Sequence, residues 1–124
     1  MFAPLLQALD GVSGSDVAKE TPGIFPDLRQ LVDRQILEER DINRLGYNYY
    51  LDGKLHAALL IFKSNTLLFP QSANTFDSYA EILADTGHSD LALKNYKKAV
   101  ALAKAQNHPN LEAFEQNLAA LEQR

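Results

Sequence analysis

Three kinds of residue in this sequence could do chemistry: histidines, a serine between glycines, and paired carboxylates. The histidines are His56, His88 and His108, and neither an HExxH motif nor another ligand spacing joins them. We expect them to be solvated or to cap helices. The chain has no cysteine, which excludes disulfides, thiolate metal sites and cysteine nucleophiles. No metal site and no cofactor is predicted.

The serine and the carboxylates favour structural roles. The segment GVSGS (11–15) compares with the nucleophile elbow. That motif needs a glycine at position 15, where this sequence has Ser15, and it also needs a preceding strand. A flexible linker explains the segment better. The 16 acidic residues are scattered over predicted helix exteriors, as solvated faces usually are. We therefore predict that this chain is not an enzyme.

Length and composition indicate one folded domain. The 124 residues are 46% hydrophobic and 23% charged, and the net charge of −4 lacks the electrostatic footprint of nucleic-acid binding. The N-terminus has no lysine or arginine before its short apolar run, which argues against a signal peptide. No later run reaches the ~18 apolar residues of a membrane span. We expect a soluble chain, cytoplasmic if it is full-length.

The elements that position these residues are helices. Residues 1–25 read as an N-terminal segment and linker, in which PLLQAL could make two helical turns before the loop residues of GVSGSD and TPGIFP. Apolar residues then recur at helical spacing and predict a helix near 27–37, in a capping segment of residues 26–38. The apolar residues at this spacing are Leu28, Leu31, Val32 and Ile36.

An internal repeat organises the rest of the chain, with a period of about 34 residues. When the sequence is aligned with itself at this spacing, five identical pairs coincide: Gly53 with Gly87, Ala58 with Ala92, Leu59 with Leu93, Lys63 with Lys97 and Leu68 with Leu102. Each unit is predicted to be two helices, about 40–52 and 54–68, then 73–86 and 89–105. The two glycines fall where a helix ends and positive φ is needed. The candidate N-caps are Ser72 for the helix at 73, Ser89 or Asp90 for the helix at 89, and Asn110 for the last helix. A last helix is predicted at 111–123, with Leu111, Phe114, Leu118 and Leu121 on one stripe.

This pattern resembles the tetratricopeptide repeat. The residues that carry the resemblance are Leu45, Gly46, Tyr49, Ala58, Phe62 and Pro70, then Tyr79, Ala80, Leu83, Ala92, Tyr96 and Ala99. The resemblance implies an all-α, right-handed superhelical array of helix-turn-helix units. We expect about six helices: a capping helix, one unit at 39–72, a second at 73–107 and a C-terminal capping helix at 108–124. The departures are Asn65, where alanine is usual, and Lys104, where a closing proline is usual. Because that proline is missing, the helix that starts at 89 is expected to continue to about Asn107.

A narrower resemblance concerns the features NRLGY, FKSN and FPQSANTFDSYAE. They are similar to repeat pairs appended C-terminally to bacterial serine hydrolases, both esterase-like and β-lactamase-like. This resemblance implies that the chain is an accessory domain whose catalytic partner lies outside it.

The repeat register selects candidate binding residues on the first helix of each unit. In this register Tyr49 belongs to the core, whereas the opposite side lines the concave groove in which repeats of this type hold peptides. The groove residues are Arg40, Asn43, Arg44, Tyr47 and Tyr50 in the first unit, and Asn74, Asp77, Ser78 and Glu81 in the second. The alternative is that this face only touches the N-terminal segment or a missing neighbour.

Leu60 and Ile61 form a candidate apolar back surface, at positions that face outward in this repeat. The aligned residues of the second unit, Lys94 and Asn95, are polar. Burying both aliphatic side chains is worth ~3–6 kcal/mol, so we expect them to be covered. The cover is either the helix near 27–37, a second copy of the chain in a homodimer, or a parent catalytic domain.

Two functions follow from these features. The first is a non-catalytic protein-protein interaction module that binds a peptide or protein partner through the groove or the apolar back surface. The alternative is a C-terminal accessory or oligomerisation domain of a bacterial serine hydrolase.

Overall fold

The computed structural model describes residues 25–124, and within that range every regular element is a helix. The predicted N-terminal segment and linker (residues 1–25), with its PLLQAL turns and GVSGS, lies outside the described residues except for Phe25, which begins the first described helix. The six described helices are α1 (Phe25–Asp33), α2 (Glu39–Leu51), α3 (Leu55–Leu68), α4 (Ala73–Asp85), α5 (Ser89–Gln106) and α6 (Leu111–Glu122). The all-α prediction is confirmed for this part of the chain. The chain forms two compact units that divide between Leu68 and Phe69.

The first unit contains α1, α2 and α3. Helices α2 and α3 pack against each other, and α1 packs against α3. Fully buried apolar side chains on all three helices form the core, including Leu28, Ile42 and Phe62. The turn between α2 and α3 places Gly53 at φ +82°, as predicted. This left-handed conformation is strained for residues with a Cβ atom, which explains the glycine.

Gly46 on α2 lies directly against the ring of Phe62 on α3. A Cβ atom at this position would lie 2.7 Å from Cζ and 2.8 Å from Cε2 of Phe62. Glycine inside a helix costs about 1 kcal/mol relative to alanine. Here it admits the ring of Phe62, which is fully buried. Glycine at this position therefore allows α2 and α3 to pack closely.

The second unit contains α4, α5 and α6. Helix α5 packs against both of the others. Ala73, Val100, Ala103 and Phe114 form a buried cluster, with Leu102, Leu111 and Leu118 packed against it. The final helix therefore buries one stripe, as its sequence pattern predicts.

The internal repeat is visible in the helix boundaries. Helix α2 spans 39–51 and α4 spans 73–85, whereas α3 and α5 begin at 55 and 89, so each of these bounds recurs at the spacing that separates Gly53 from Gly87. Gly87 has φ +86°, matching Gly53. The aligned pairs Gly46/Ala80, Tyr49/Leu83 and Phe62/Tyr96 are all buried. Two successive stretches of sequence therefore build the same kind of helical hairpin.

Helix ends differ from the predictions in two places. Helix α1 ends at Asp33, because Gln35 adopts φ +61° and the N–H of Ile36 bonds back to the carbonyl of Leu31 at 2.9 Å. The N-cap of α5 is His88, so the prediction of Ser89 or Asp90 is wrong. The remaining ends are close to the prediction.

Ser72 and Asn110 do occupy N-cap positions, although neither side chain makes the capping hydrogen bond. Helix α5 runs to Gln106, with Asn107 as a left-handed C-cap, as the missing proline predicts. Turn glycines and helix-stopping residues were therefore better guides than side-chain caps.

Candidate functional site

The five candidate residues of the first unit lie on one side of α2. The two arginines are exposed, and the other three residues are half-buried. The guanidinium Nε of Arg40 lies 3.2 Å from Oε2 of Glu38, so this arginine already has an acidic neighbour. Arg44 forms no ion pair with any residue in 25–124. Of the two cations, Arg44 is therefore the better placed to receive an external carboxylate or carbonyl.

Asn43 presents a buried hydrogen-bond acceptor without a donor. Its Oδ1 atom is buried, and no described residue donates to it. Asn65 on α3 has the same property: its Nδ2 donates to the carbonyl of Glu39 at 3.2 Å, but its Oδ1 has no donor. Buried amide oxygens normally accept a hydrogen bond, and leaving one unmade costs about 1–3 kcal/mol. Two buried amide oxygens without a hydrogen-bond donor therefore lie near the start of α2: one on Asn43 of α2 and one on Asn65 of α3, which bonds to Glu39.

The tyrosines of α2 divide only in part as the repeat register predicts. Tyr49 is only 9% exposed and belongs to the core. Tyr47 is half-buried, and its ring meets that of Phe62 edge-on, with 4.9 Å between centroids. Tyr47 therefore also contributes to packing inside the unit, which the sequence did not reveal. Tyr50 is half-buried on the same side of α2.

A cavity of about 300 Å³ adjoins Arg44 on the flank of α2. Its wall combines Ile36, Leu37 and Leu45 with the polar residues Asp41 and Asn48. Ile36 is 41% exposed because the chain turns after α1 instead of continuing as a helix. The cavity could not be predicted, since the sequence pattern places Ile36 on the buried stripe of a longer helix.

The four candidate residues of the second unit lie on one side of α4. Asn74 and Asp77 are half-buried, Ser78 is buried, and Glu81 is exposed. The carboxylate of Asp77 accepts from Nδ2 of Asn117 on α6, at 3.1 Å to Oδ1 and 3.3 Å to Oδ2. Burial raises the pKa of Asp77 above its usual value, and the charge of Glu81 acts in the same direction, whereas the hydrogen bond from Asn117 opposes them. The last helix therefore helps to shape this face.

Two buried tyrosines of the second unit make its stability sensitive to alkaline pH. Burial raises the pKa of Tyr79 to about 12. Burial, with the nearby carboxylates of α4, raises the pKa of Tyr96 to about 12. A pKa that is higher in the folded chain than in the unfolded chain stabilises the fold below the unfolded pKa. We expect this contribution to be complete below about pH 10 and to be lost as pH rises towards about 12.

The measurement is phenolate absorbance during an alkaline titration, with denaturant unfolding at several pH values. Two of the five tyrosines should ionise only as the protein unfolds. In the variant Tyr79→Phe/Tyr96→Phe, the unfolding free energy should fall less steeply over the same range. Five tyrosines ionising together near the usual pKa would contradict the expectation.

Leu60 and Ile61, the candidate apolar back surface, are buried by the chain itself. Leu60 is 8% exposed and Ile61 is not exposed at all. Helix α3, on which both lie, has ten buried residues among its 14. Helix α1 packs against α3, and its Leu28 and Leu31 are buried. The cover is thus present within the chain, and these two side chains offer no open docking surface.

The histidines take ordinary positions. His56 is exposed, whereas His88 and His108 are half-buried. Nδ1 of His108 accepts a hydrogen bond from the backbone N–H of Asn110 at 3.0 Å, and its ring lies 5.2 Å from that of Phe114. Among residues 25–124, no group of three or more histidine, aspartate and glutamate side chains is arranged to hold a metal ion.

Comparisons with known proteins give no match. The chain matches no protein-family model, no curated protein and no solved structure. The resemblances to the tetratricopeptide repeat and to the repeat pairs of bacterial serine hydrolases therefore stay predictions. None of the helices in the described range has the length and apolarity needed to cross a membrane.

Proposed function

We propose that the chain is a non-catalytic protein-protein interaction module of the tetratricopeptide-repeat type, which binds a peptide or protein partner through the face of α2. The regular recurrence of helix bounds and turn glycines from the first unit to the second supports the repeat type. The observation that carries the binding proposal is Arg44, an exposed cation on this face that forms no ion pair with any residue in 25–124.

Arg44 matches the acceptor groups of an extended peptide. A peptide backbone offers N–H donors and C=O acceptors in alternation. The exposed guanidinium of Arg44 can donate to a peptide carbonyl or carboxylate. Tyr50, on the same side of α2, adds an aromatic surface with a polar end. Because a helix holds these side chains, little ordering is needed on binding.

The proposal is tested by selecting binders from a library of displayed random peptides and measuring their affinities. We expect Arg44→Ala to weaken a selected peptide by about tenfold, corresponding to ~1.4 kcal/mol. Arg34→Ala is the matched control, since Arg34 is exposed in the same unit and lies off this face. Equal affinities for the wild type and Arg44→Ala would remove Arg44 from the site. Failure to select any peptide would count against the function itself.

Asn43→Ala separates binding from stability. Alanine removes the unmatched acceptor and favours the helix, so we expect the free protein to gain about 1 kcal/mol of unfolding free energy. Asn43 is half-buried on the same side of α2 as Arg44, so the same substitution should also weaken peptide binding. Opposite effects on stability and affinity are typical of a residue kept for function. A loss of stability would instead assign Asn43 a structural role.

A further inference from the structure

The cavity of about 300 Å³ on the flank of α2 combines an aliphatic wall with a cation. The aliphatic wall is Ile36, Leu37 and Leu45, and the cation is that of Arg44. Ile36 is 41% exposed and Leu45 is half-buried, so both side chains keep apolar surface that a ligand can cover. A cavity of this size is at the lower end of the roughly 300–1,000 Å³ that ligand pockets occupy. It suits a large side chain of a peptide.

Backbone hydrogen bonds hold part of the aliphatic wall in place. After α1 ends, the N–H groups of Ile36 and Leu37 both donate to the carbonyl of Leu31, at 2.9 Å and 3.2 Å. Leu31 is itself buried, which ties this turn to the core of the unit. The remaining wall belongs to helix α2. The cavity therefore exists before a ligand arrives, and binding requires little ordering of the chain.

The internal repeat gives an independent sign that this side of α2 is suited to being covered. Leu45 aligns with Tyr79, and Asn48, which also lines the cavity, aligns with Ile82. In the second unit both positions are buried, since Tyr79 is 5% exposed and Ile82 is not exposed at all. In the first unit Leu45 is half-buried and Asn48 is exposed. The two positions that are closed in one unit are thus open in the other.

Arg44 supplies a positive charge without an internal ion pair. Its guanidinium pairs with no acidic residue in the described range 25–124. Asp41 also lines the cavity, but its Oδ2 accepts from the backbone N–H of Glu38 at 2.9 Å, which holds that carboxylate at the start of α2. A guanidinium can bind an incoming carboxylate through two parallel hydrogen bonds. The charge of the site therefore complements an acidic group beside an apolar one.

We propose that the cavity receives a large aliphatic side chain of a partner peptide, and that Arg44 binds the side chain of an adjacent aspartate or glutamate. This inference rests on the proposed function and names the chemistry of the partner. On the helix surface Arg44 lies between the cavity residue Leu45 and the side that carries Tyr50. A peptide that reaches both the cavity and Tyr50 passes Arg44 in mid-chain, so the carboxylate is that of a side chain.

The experiment titrates synthetic peptides into the isotope-labelled full chain and follows its backbone amide NMR signals. Three peptides share one glycine-serine sequence with an amidated C-terminus and carry leucine–glutamate, leucine–glutamine or leucine–lysine at two adjacent central positions. We expect the leucine–glutamate peptide to shift the amide signals of Leu37 and Leu45, and to bind about fivefold more tightly than the other two. Added salt should reduce that preference. A leucine–glutamine peptide with a free C-terminus tests whether a chain end is bound instead.

Two pairs of variants test the charge and the aliphatic wall separately. Arg44→Glu should reverse the preference in favour of the lysine peptide, whereas Arg34→Glu changes the net charge equally at an exposed position outside the cavity and should retain it. Ile36→Ser should weaken the leucine–glutamate peptide by about fivefold, because it removes apolar surface from the wall. Leu51→Ser is the matched control, since Leu51 is 79% exposed and does not line the cavity.

Four outcomes would overturn the inference: equal affinities of the three amidated peptides for the wild type, a glutamate preference that survives in Arg44→Glu, equal effects of Ile36→Ser and Leu51→Ser, or tightest binding of the peptide with the free C-terminus. Self-association of the wild type that Ile36→Ser abolishes would instead assign the cavity to a second copy of the chain. Library peptides that need Arg44 but are insensitive to Ile36→Ser would overturn the inference and leave the proposed function standing. A library without binders would count against both.

Discussion

Leu60→Glu combined with Ile61→Lys is expected to unfold the first unit. The two side chains are 8% and 0% exposed. Replacing them removes ~3–6 kcal/mol of apolar burial, and each new charge would be buried without an ion-pair partner. This loss is comparable to the whole stability of a small domain, about 5–15 kcal/mol. Helical circular dichroism and cooperative unfolding should therefore decrease substantially.

The repeat supplies a matched control for this experiment. Lys94→Glu with Asn95→Lys makes similar changes at the aligned positions of the second unit, where Lys94 is exposed and Asn95 is half-buried. The Nδ2 of Asn95 donates to the carbonyl of Leu91 at 2.8 Å, a bond that the control removes. We expect the control to lose no more than about 1 kcal/mol. A Leu60→Glu/Ile61→Lys protein as folded and soluble as the wild type would contradict the burial of this side of α3.

The contrast between these two pairs also shows what a sequence can predict. Leu60 and Ile61 could be expected to need a cover, because Lys94 and Asn95 mark the aligned positions as exposed in an ordinary unit. The sequence left three candidates for that cover. The burial of both side chains within the single chain makes a second copy or a parent domain unnecessary as the cover, and no local pattern encodes that burial.

Helix boundaries were largely predictable because they depend on local signals. Gly53 and Gly87 mark turns by their positive φ, and the repeat register carries each boundary from one unit to the next. The end of α1 was not predictable, since Gln35 takes the left-handed conformation without being glycine.

The sequence predicted which residues lie on the candidate faces, but not which hydrogen bonds those residues make. The register placed Asn43 and Asp77 on them. It could not show that Asn43 has an unmatched oxygen or that Asp77 meets Asn117 on the last helix. Such properties depend on tertiary contacts, and sequence spacing constrains them only weakly. The chemistry of a partner for these faces could therefore be proposed only from the structure.

Gly46→Ala is expected to destabilise the chain, although alanine is the better helix former. In an isolated helix the substitution would gain about 1 kcal/mol. In this chain the new methyl group would lie 2.7 Å from Cζ of Phe62. That ring is fully buried, and Tyr47 contacts it edge-on at 4.9 Å, so it has little room to move away. Overpacking of this kind costs about 1–3 kcal/mol, so after the helix gain we expect a net loss of up to ~2 kcal/mol in denaturant unfolding.

A double-mutant cycle assigns that loss to its cause. Phe62→Leu alone should cost stability by opening space, but adding Gly46→Ala to it should then be neutral or stabilising. The coupling between the two sites is expected to be about 1–2 kcal/mol. Ala80→Gly, at the aligned position, should cost the ~1 kcal/mol of helix propensity and a further ~1 kcal/mol for the lost burial of its methyl group. If Gly46→Ala stabilises the chain with Phe62 present, helix propensity outweighs the close approach, and Gly46 is not required for packing.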